Sequence, residues 1–313
     1  MKKKIVITGS NGLLGQKLVY TLLKRSDCEI IATSKGENRL KTKEGYVYRS
    51  LDIVNKAEVE KIVKEYLPDT VINTAAMTNV DACETDKKGC WDLNVTAVKN
   101  IVDVLEDIKS ENYHPQLIHL STDFVFDGKN GPYQEDDIPN PLGYYALSKL
   151  ESEKITRAST LKWAIVRTII VYGVTDNLGR TNIVLWAKEA LTKGQEMNVV
   201  DDQFRSPTLA EDLAEACILI AFKNATGIYH ISGKEIMSIL ELVYSVADFF
   251  KLDKSHVKPV KSAELNQPAK RPPKTGFIIT KAIRELGYNP HSFKEGLQLV
   301  AGQLALEQNA TSR

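Results

Sequence analysis

Three glycines near the N-terminus constrain the fold of this chain more than any other feature. Ile5 to Thr8 is a short apolar and β-branched run that leads into Gly9, Gly12 and Gly15, spaced G-x-x-G-x-x-G. Leucines at helical spacing follow. The pattern predicts a strand, a tight turn and a helix, in which the backbone approaches a pyrophosphate that faces the amides of the helix N-terminus. A glycine turn in an unrelated α/β protein is the alternative when this feature is taken alone.

Alternating strand and helix patterns continue beyond this turn. Further strands are predicted at Glu29–Thr33, Tyr46–Leu51, Asp69–Asn73 and Gln116–Ser121. Such alternation is typical of a parallel sheet with helices on both faces, and ligands of these sheets bind outside the carboxyl ends of the strands. The sequence therefore predicts an α/β, Rossmann-type doubly wound parallel sheet with a ligand site at that edge.

Composition and charge exclude several classes of function. The chain has 313 residues, 43% of them hydrophobic, and its 41 basic and 40 acidic side chains leave a net charge of +1. This balance provides no electrostatic reason to bind nucleic acid or a membrane surface. No apolar run has the length of a membrane span, and the N-terminal stretch lacks the apolar core of a signal peptide. The four cysteines form no CxxC pair, so we expect a reduced, cytoplasmic protein without zinc.

The end of the second predicted strand indicates which dinucleotide is bound. An acidic residue at this place would accept hydrogen bonds from the ribose hydroxyls and select NAD. Here Thr33, Ser34 and Lys35 follow, with Arg39 nearby, and a hydroxyl with two cations suits a 2′-phosphate. We therefore expect NADPH, with NADH as the alternative cofactor. A solvated loop that happens to be basic is the alternative interpretation of these residues.

A long loop and a Tyr-Lys pair follow the fifth predicted strand. Phe126 to Gly143 is rich in Gly, Pro, Asn and Asp, and long ordered loops often border an active site. The chain then enters a predicted helix, in which Tyr145 and Lys149 are four residues apart and share one face. Taken alone, a surface pair is the simpler interpretation. The position of the pair after this loop favours a functional site.

Five short motifs in register resemble the extended short-chain dehydrogenase/reductases. They are GSNGLLG (9–15), Asp52-Ile53 after the third strand, NTAA (73–76), STD (121–123) and YALSK (145–149). A closer resemblance is to the dTDP-4-dehydrorhamnose reductase family, through TNVDACE (78–84), STDFVFDG (121–128), VRTIIVYG (166–173), DQFRSPTLAEDLA (202–214) and RPPKTGF (271–277). Together these motifs extend over nearly the whole chain.

The resemblance implies a reduction and assigns its residues. The family reduces the 4-keto group of a nucleotide-linked 6-deoxyhexose with NADPH, giving dTDP-rhamnose. By this resemblance Tyr145 is the proton donor, Lys149 its activator and Thr122 the hydroxyl that orients the ketone, with Ser121 as the alternative to Thr122. We expect the pKa of the tyrosine to lie about two to three units below its usual value near 10. A close ammonium and a cationic nicotinamide would supply the roughly 3 to 4 kcal/mol that this lowering requires.

The other candidate site residues lie in the predicted turn, at strand ends and in the second half. The cofactor candidates are Gly9, Asn11, Gly12, Leu13, Leu14, Gly15, Ser34, Lys35, Arg39, Asp52, Ile53, Ala75, Ala76 and Asn94, together with Tyr145 and Lys149. The sugar-nucleotide candidates are Thr78, Asp123, Phe124, Arg205 and Arg271, the two arginines for its diphosphate. A solvated basic loop is the alternative for the arginines. Phe124 stands where related dehydratases have a glutamate, which argues against dehydration.

The second half of the chain departs from strict alternation. We expect residues 1–170 to form an NADP-binding Rossmann domain and residues 171–313 mainly a smaller substrate-binding lobe, with strands or helices that return to the Rossmann sheet. Ile170 stands where the resembled family usually has a tryptophan against the deoxysugar, so the identity of the sugar stays open. Lys17 stands where some members have a carboxylate for Mg²⁺, so no metal site is predicted.

Two other functions fit the same motifs. A nucleotide-sugar 4-epimerase would use the same tyrosine and lysine with a tightly held NAD, against which Ser34 and Lys35 argue. The regulatory β subunit of methionine adenosyltransferase resembles this family and binds a cofactor as a partner protein. The presence of Thr122, Tyr145 and Lys149 favours an enzyme. The expected partner is a sugar nucleotide. Between a monomer and a homodimer the sequence leaves the choice open.

Overall fold

The computed structural model describes residues 2–176 and 181–311 of the chain. Short strands with buried aliphatic side chains form its centre. In chain order the strands are β1 (Lys3–Thr8), β2 (Cys28–Ser34), β3 (Val47–Ser50), β4 (Thr70–Asn73), β5 (Gln116–Thr122), β6 (Lys162–Thr168), β7 (Val171–Tyr172), β8 (Met197–Val200), β9 (Phe204–Arg205), β10 (Thr208–Leu209), β11 (Gly227–Ile231), β12 (Met237–Ser238) and β13 (Val257–Val260).

Helices connect most of these strands, and local sequence explains several of their ends. In chain order they are α1 (Leu13–Leu22), α2 (Lys56–Tyr66), α3 (Val80–Thr85), α4 (Lys87–Trp91), α5 (Ala97–Ile108), α6 (Tyr144–Ala158), α7 (Ile183–Thr192), α8 (Ala210–Lys223), α9 (Ile239–Phe250), α10 (Thr280–Leu286) and α11 (Phe293–Thr311). A π-helical turn, Asp92–Thr96, joins α4 to α5. Asn55 caps α2 by accepting from the Ala57 amide, and Ser238 forms a capping box with Glu241 at α9.

Seven of the strands form one parallel sheet in the order β3-β2-β1-β4-β5-β6-β11. The chain passes from one side of β1 to the other between β3 and β4. The carboxyl ends of β1, β4 and β5 therefore border a crevice at the centre of the sheet, where open α/β sheets bind ligands. The register places Thr8 beside Asn73, and Asn73 beside His119.

Helices cover both faces of this sheet. On one face α1, α8 and α10 pack through residues that include Leu18, Leu213 and Leu286. On the other face α2 and α5 pack through residues that include Val59 and Ile101. Full burial of such a side chain contributes about 1.5 to 3 kcal/mol. The predicted doubly wound parallel sheet is confirmed, and its two apolar layers are what hold the strand ends in place.

The second half of the chain contributes to both parts of the molecule. β11 joins the central sheet beside β6, and α8 packs on α1. Three two-stranded pairs, β7 with β10, β8 with β13 and β9 with β12, accompany α7, α9 and α11. These elements enclose a separate apolar cluster that includes Val184, Leu242 and Leu297. The division at residue 170 stays a prediction, whereas β11 and α8 are elements of the second half that return to the sheet.

The loop from Phe126 to Gly143 contains turns without a regular helix or strand. It is held against a C-terminal segment, because the Tyr133 amide donates to the carbonyl oxygen of Gly276 at 2.9 Å and the Ile278 amide donates to that of Tyr133 at 2.9 Å. The second half therefore borders the crevice. Across residues 2–176 and 181–311, no helix has the length and apolar character needed to cross a membrane.

Candidate active site

The turn after β1 packs so closely against the neighbouring backbone that only glycine fits at two of its positions. Gly9 has a φ of +68°, which side chains rarely adopt, and a Cβ there would lie 2.9 Å from the Ala75 backbone. A Cβ on Gly15 would lie 2.3 Å from the carbonyl oxygen of Gly9. Gly12 is the N-cap of α1, and its amide donates to the Gly9 carbonyl at 2.9 Å. The first amides of α1 are therefore directed into the crevice.

Ser10 in the same turn provides a second sign of a ligand. Its side chain is fully buried, and its Oγ has no hydrogen-bond partner among the described residues. A buried hydroxyl without a partner calls for a group that the chain itself does not supply. At a helix N-terminus, a phosphate is the group that the free amides and the helix dipole favour. The turn therefore fits the pyrophosphate of a dinucleotide.

The loop after β2 forms the side of the crevice next to β3. Asn11 anchors this loop, because its Oδ1 accepts from the Arg39 amide at 2.9 Å and its Nδ2 donates to the Glu37 carbonyl at 2.8 Å. Exposed Lys35 lies 2.7 Å from Asp52 and lowers the pKa of that carboxyl. A cleft of about 550 Å³ is lined by Glu37, Asn38, Arg39, Leu40, Lys41 and Lys43. Its basic side chains fit an anionic group such as a ribose phosphate.

Thr122, Tyr145 and Lys149 meet at the carboxyl edge of the sheet. Tyr145 and Lys149 lie one turn apart on α6 and are 8% and 3% exposed, and Thr122 ends β5 with 7% exposure. Thr122 Oγ1 accepts from the Phe124 amide at 3.2 Å and donates to Asp123 Oδ1 at 3.1 Å. The Thr122 hydroxyl lies close enough to Tyr145 to lower the pKa of its phenol. The structure therefore brings the three predicted catalytic residues together.

Burial governs the ionisation of this group. Burial raises the pKa of Tyr145 well above its usual value, although the hydrogen bond with Thr122 lowers it. Burial also lowers the pKa of Lys149 to about 8, against the opposing effect of Glu153. The expected lowering of the tyrosine pKa is therefore not supplied by the protein groups, because both side chains are removed from water. Near neutral pH Tyr145 holds its proton as a neutral phenol.

The side chain of Ser121 points into the core rather than into the crevice. Its Oγ donates to Glu153 Oε1 at 2.5 Å. Glu153 Oε2 lies 2.7 Å from Arg167 Nη2, and both side chains are 1% exposed. Adjacent side chains of a strand point to opposite faces. Thr122 is therefore the hydroxyl that reaches Tyr145, while Ser121 joins a buried ion pair that links β5, α6 and β6.

Arg205 lies in a buried position close to Asp123. It is 1% exposed, and its guanidinium donates to the carbonyl oxygens of Phe204 at 2.7 Å and Pro272 at 2.6 Å. Its Nε lies 3.8 Å from Asp123 Oδ2, which also accepts from Thr275 at 2.5 Å. Burial raises the pKa of Asp123. Arg205 thus holds the C-terminal segment beside the site, and its contact with a diphosphate stays a prediction.

The other predicted substrate contacts lie around the same edge. Arg271 pairs with Asp81 in the segment after β4, with 2.7 Å between Nη2 and Oδ2. Phe124 contacts the Tyr145 ring edge to face, with 6.2 Å between the ring centroids. Thr78 lies in the segment after β4 and is exposed. Their contacts with a sugar nucleotide stay predictions.

Asn94 joins two walls of the crevice. Its Oδ1 accepts from the Met77 amide at 2.8 Å, and its Nδ2 donates to Ser148 Oγ at 3.0 Å. It lies in the π-helical turn between α4 and α5, and such turns are frequent at functional sites. Asn94 therefore fixes the segment after β4 against α6. A direct contact with the cofactor stays a prediction.

The remaining cofactor candidates surround the crevice, and several polar residues near them were not expected. Leu13 and Leu14 begin α1, Ser34 ends β2, Ile53 follows β3, and Ala75 and Ala76 follow β4. Sequence analysis missed Ser10, Asn73, His119, Ser148, Ser152 and Thr275. A signal existed for Asn73 and His119, because polar residues are unusual in the buried strands of a parallel sheet.

The fold and the site together define a Rossmann-type protein of the short-chain dehydrogenase/reductase class. Its glycine turn follows β1, its seven-stranded sheet is parallel, and its Tyr-Lys pair is buried at the carboxyl edge of that sheet. The model of one family, the RmlD substrate binding domain, matches residues 2–306. The chain belongs to this family.

Relatives of the chain include a polysaccharide biosynthesis protein and a subunit of methionine adenosyltransferase. The spore coat polysaccharide biosynthesis protein SpsK of Bacillus subtilis is 33% identical over 296 residues, which cover 94% of this chain and 95% of SpsK. Methionine adenosyltransferase 2 subunit beta of Bos taurus is 30% identical over 263 residues, which cover 82% of this chain and 75% of that protein. Among solved structures, dTDP-4-dehydrorhamnose reductase of Bacillus anthracis in complex with NADP has a TM-score of 0.83 and 28% identity, covering 97% and 100% of the two chains.

Proposed function

We propose that this chain reduces the 4-keto group of a nucleotide-linked 6-deoxyhexose with NADPH, converting dTDP-4-dehydro-L-rhamnose into dTDP-L-rhamnose. The observation that carries the proposal is the buried group of Thr122, Tyr145 and Lys149 at the edge of the sheet. The adjacent turn fits a dinucleotide. Membership of the family, together with a similar reductase solved with NADP, supports the same class of reaction and the same cofactor.

Each residue of the group has a definite task in this reaction. When bound, the reduced nicotinamide supplies the hydride for the carbonyl carbon. Tyr145 transfers its phenolic proton to the ketone oxygen, so that the carbonyl becomes a hydroxyl and Tyr145 a phenolate. Thr122 holds the ketone oxygen beside Tyr145. Lys149, buried one turn along α6, stabilises the phenolate as it forms.

The cofactor would be held by groups that follow the ends of β1 and β2 and by one side chain of α6. The Gly9–Gly15 turn and the unpartnered Ser10 hydroxyl would hold the pyrophosphate. Lys35 and Arg39 on the loop after β2 would hold the ribose phosphate, with Asn11 fixing that loop. Lys149 would hold the ribose next to the nicotinamide. These contacts are part of the proposal.

The alternative functions have less support. Phe124 offers no acidic group for dehydration. Solved NAD-bound nucleotide-sugar dehydratases and epimerases superpose with a TM-score of 0.81, but their 19 to 23% identity shows the fold alone. The regulatory alternative rests on the relation to the methionine adenosyltransferase subunit. Retention of a buried Thr-Tyr-Lys group favours catalysis.

Replacement of Tyr145 tests the proposed reaction. With dTDP-4-dehydro-L-rhamnose generated in a coupled mixture, the purified protein is expected to oxidise NADPH, followed at the nicotinamide absorbance. Tyr145→Phe removes the proton donor and should lower kcat roughly 10²- to 10⁴-fold while leaving NADPH binding intact. Tyr144→Phe, at the neighbouring half-buried position, is the matched control and should keep its turnover. Full turnover by Tyr145→Phe would refute the assignment, and no oxidation by the unaltered protein would refute the proposed substrate.

Cofactor preference provides a second prediction. The KM for NADPH should lie well below that for NADH, because Lys35 and Arg39 face the 2′-phosphate. Replacing both with alanine should weaken NADPH binding by about 1.5 to 3 kcal/mol, roughly tenfold or more, and leave NADH binding unchanged. Lys64→Ala, on the solvent face of α2, is the control. Equal KM values for the two cofactors in the unaltered protein would contradict this prediction.

We also propose a cytoplasmic location. All four cysteines are buried and unpaired, which suits a reducing compartment. A homodimer stays a prediction, and light scattering of the purified protein tests it.

A further inference from the structure

A chain of buried polar side chains crosses the sheet behind the catalytic group. Thr8, Asn73, His119 and Ser152 are each at most 2% exposed. Thr8 Oγ1 lies 2.6 Å from Asn73 Oδ1, and Asn73 Nδ2 lies 3.2 Å from His119 Nδ1. His119 Nε2 lies 2.8 Å from Ser152 Oγ, which donates to the carbonyl oxygen of Lys149 at 2.7 Å. The proposed reaction gives these residues no task.

The hydrogen bonds of this chain determine which ring nitrogen of His119 carries the proton. The 2.6 Å contact between Thr8 and Asn73 is the length of a bond donated by a hydroxyl, so Asn73 presents its oxygen to Thr8. Its amide nitrogen then donates to His119 Nδ1, which must be unprotonated. The Ser152 hydroxyl proton is directed to Lys149 O, so Ser152 accepts from Nε2. His119 is therefore the Nε2–H tautomer.

The same Nε2 faces the amine of Lys149 at 3.5 Å. Within residues 2–176 and 181–311, this ring is the one side chain within hydrogen-bonding range of Lys149 Nζ. Because its lone pair is on the other nitrogen, the ring cannot accept a proton from Lys149. The protons of Nζ are consequently left for groups on the crevice side, such as Tyr145 and the ribose of a bound cofactor.

We propose that His119, held as the neutral Nε2–H tautomer by Asn73 and Ser152, is a positioning residue that keeps Lys149 directed into the crevice. The inference rests on the proposed role of Lys149. It links that lysine to the glycine turn, because Thr8 at the start of the hydrogen-bonded chain directly precedes Gly9. A shift of the turn is thereby transmitted to the base of the catalytic lysine.

Charged and titratable groups around the pair are consistent with this arrangement. Glu153 on the same helix and Cys90 on α4 raise the pKa of Lys149, but burial outweighs them and lowers it to about 8. Burial holds the pKa of His119 well below its usual value, and the charge of Lys149 lowers it further. Arg167 neutralises Glu153 from β6. His119 thus stays neutral across the pH range in which Lys149 titrates.

Nitrogen-15 NMR of the histidines tests the tautomer without reference to activity. The chain has five histidines, and a His119→Gln spectrum assigns the ring of interest. We expect two-bond ¹⁵N–¹H correlations of the Nε2–H form, with the ring neutral throughout the pH range in which Lys149 titrates. The ring signals should shift near pH 8, where Lys149 titrates, and Lys149→Met should abolish that shift. An Nδ1–H pattern, or an imidazolium above about pH 6, would overturn the proposal even if the enzyme is active.

Kinetics separate positioning from simple packing. His119→Phe fills the space without polar atoms and should lower kcat about tenfold to a hundredfold and raise the Kd for NADPH, with the KM for the sugar nucleotide unchanged. His119→Gln can donate to Ser152 and should recover most of kcat. His230→Gln is the matched control, since His230 is equally buried but lies outside this network. It should lower the melting temperature and leave kcat intact.

The outcomes are distinguishable from failure of the proposed function. Equal loss of kcat in His119→Phe and His119→Gln, or a full kcat in His119→Phe, would overturn the positioning role. If the unaltered protein does not oxidise NADPH, the proposed function fails and the NMR experiment still decides the tautomer. If His119→Phe does not fold, the NMR titration of the unaltered protein and the Gln variant decide the question.

Discussion

At the scale of single residues, burial decides the chemistry of the site more than charge does. Tyr145 and Lys149 are both nearly inaccessible to water. Burial raises the pKa of the phenol and lowers that of the amine, so each side chain is driven toward its neutral form. Burial of the Lys149 ammonium thus destabilises the folded state, whereas an exposed lysine would not. We therefore expect that an apolar replacement of Lys149 raises the free energy of unfolding while it abolishes activity.

Replacing Lys149 with methionine should abolish reduction and stabilise the fold. The folded pKa of about 8 lies below the ordinary value of 10.5. Below pH 8 both the folded and the unfolded chain hold the proton of Lys149, so the full penalty of burying the ammonium, about 3 kcal/mol, applies. Between pH 8 and 10.5 the penalty fades, so the contribution of Lys149 to stability rises with pH. Urea unfolding at pH 7 and pH 10 should show a gain for Lys149→Met that is large at pH 7 and small at pH 10.

Lys154→Met is the control for this comparison. Lys154 lies on the same helix but is exposed, with a surface partner in Glu151. Its replacement should change the free energy of unfolding by no more than about 0.5 kcal/mol at either pH. A Lys149→Met variant with no gain at pH 7, or with an equal gain at both pH values, would show that burial does not penalise this lysine.

Residues differed in how well the sequence predicted them. Gly9 and Gly15 belong to a local pattern, which was enough to predict the turn, whereas Tyr145 and Lys149 were singled out by their place after the long loop and by the resemblance to a known family. Arg205 depends on carbonyl groups at 272 and 273, about seventy residues away in sequence. Nothing near Arg205 in the chain indicated that its guanidinium would be buried. The sequence therefore could not show whether the Arg205 guanidinium is free to contact a diphosphate.

Backbone conformation at Ile170 illustrates the same limit. This residue has a φ of +32°, which is rare for a β-branched side chain. Its carbonyl accepts from the Thr208 amide at 3.1 Å, which pins the turn between β6 and β7. From the sequence, Ile170 was notable only because the resembled family usually has a tryptophan at this position. The structure adds that the position is conformationally demanding.

At the scale of elements, the glycine turn and α1 form one unit. Ser10 N donates to Thr33 O at 2.9 Å, and Gln16 N donates to Gly12 O at 2.9 Å. The turn is therefore fixed to β2 on one side and to the first turn of the helix on the other. A Cβ on Gly15 would lie 2.3 Å from the Gly9 carbonyl oxygen, which leaves no room for a side chain. Local sequence predicted this unit well because all of its contacts except those to β2 and the segment after β4 are close in sequence.

Gly15→Ala should disrupt this unit. The added Cβ would lie 2.3 Å from Gly9 O, so the helix must move away from the turn. We expect a loss of about 1 to 3 kcal/mol in the free energy of unfolding. NADPH affinity should also fall, because the amides of α1 move with the helix. Isothermal titration with NADPH and chemical unfolding provide the two measurements.

Gly302→Ala is the matched control on α11. No atom lies within 4 Å of the position that its Cβ would take. Alanine in a helix interior should stabilise by about 0.5 to 1 kcal/mol without changing NADPH affinity. If Gly15→Ala behaves like Gly302→Ala, close packing of the turn is not a requirement of the site.

At the scale of the whole molecule, the second half of the sequence has an apolar cluster of its own and also contributes to the core of the central sheet. The apolar layer on one face of the central sheet combines Leu18 of α1 with Leu213 of α8, Ile231 of β11 and Leu286 of α10. The crevice has the same origin, because Thr275 from the second half donates to Asp123 beside the catalytic threonine. A boundary at residue 170 therefore separates sequence motifs, but side chains from both sides of it pack together in the core of the central sheet.

A fragment of residues 1–176 should consequently fail to fold cooperatively. It lacks β11 and α8, and the apolar faces of α1 and β6 that they cover would be exposed to water. Circular dichroism in a urea titration should show a broad, shallow change for the fragment and a single sharp transition for the complete chain. A sharp transition of the fragment alone would show that the first half is an independent domain.

Local sequence was enough to predict the class of fold and the tight turn after β1, because both depend on periodicity and on spacings of a few residues, which local physical chemistry governs. The catalytic roles of Tyr145 and Lys149 came from the resemblance to a known family and stay predictions. The three-dimensional structure was needed to show that Thr122 rather than Ser121 faces Tyr145, that Arg205 is buried, and that His119 lies behind Lys149. These depend on which residues from distant strands and helices become neighbours, and on how completely their packing removes water.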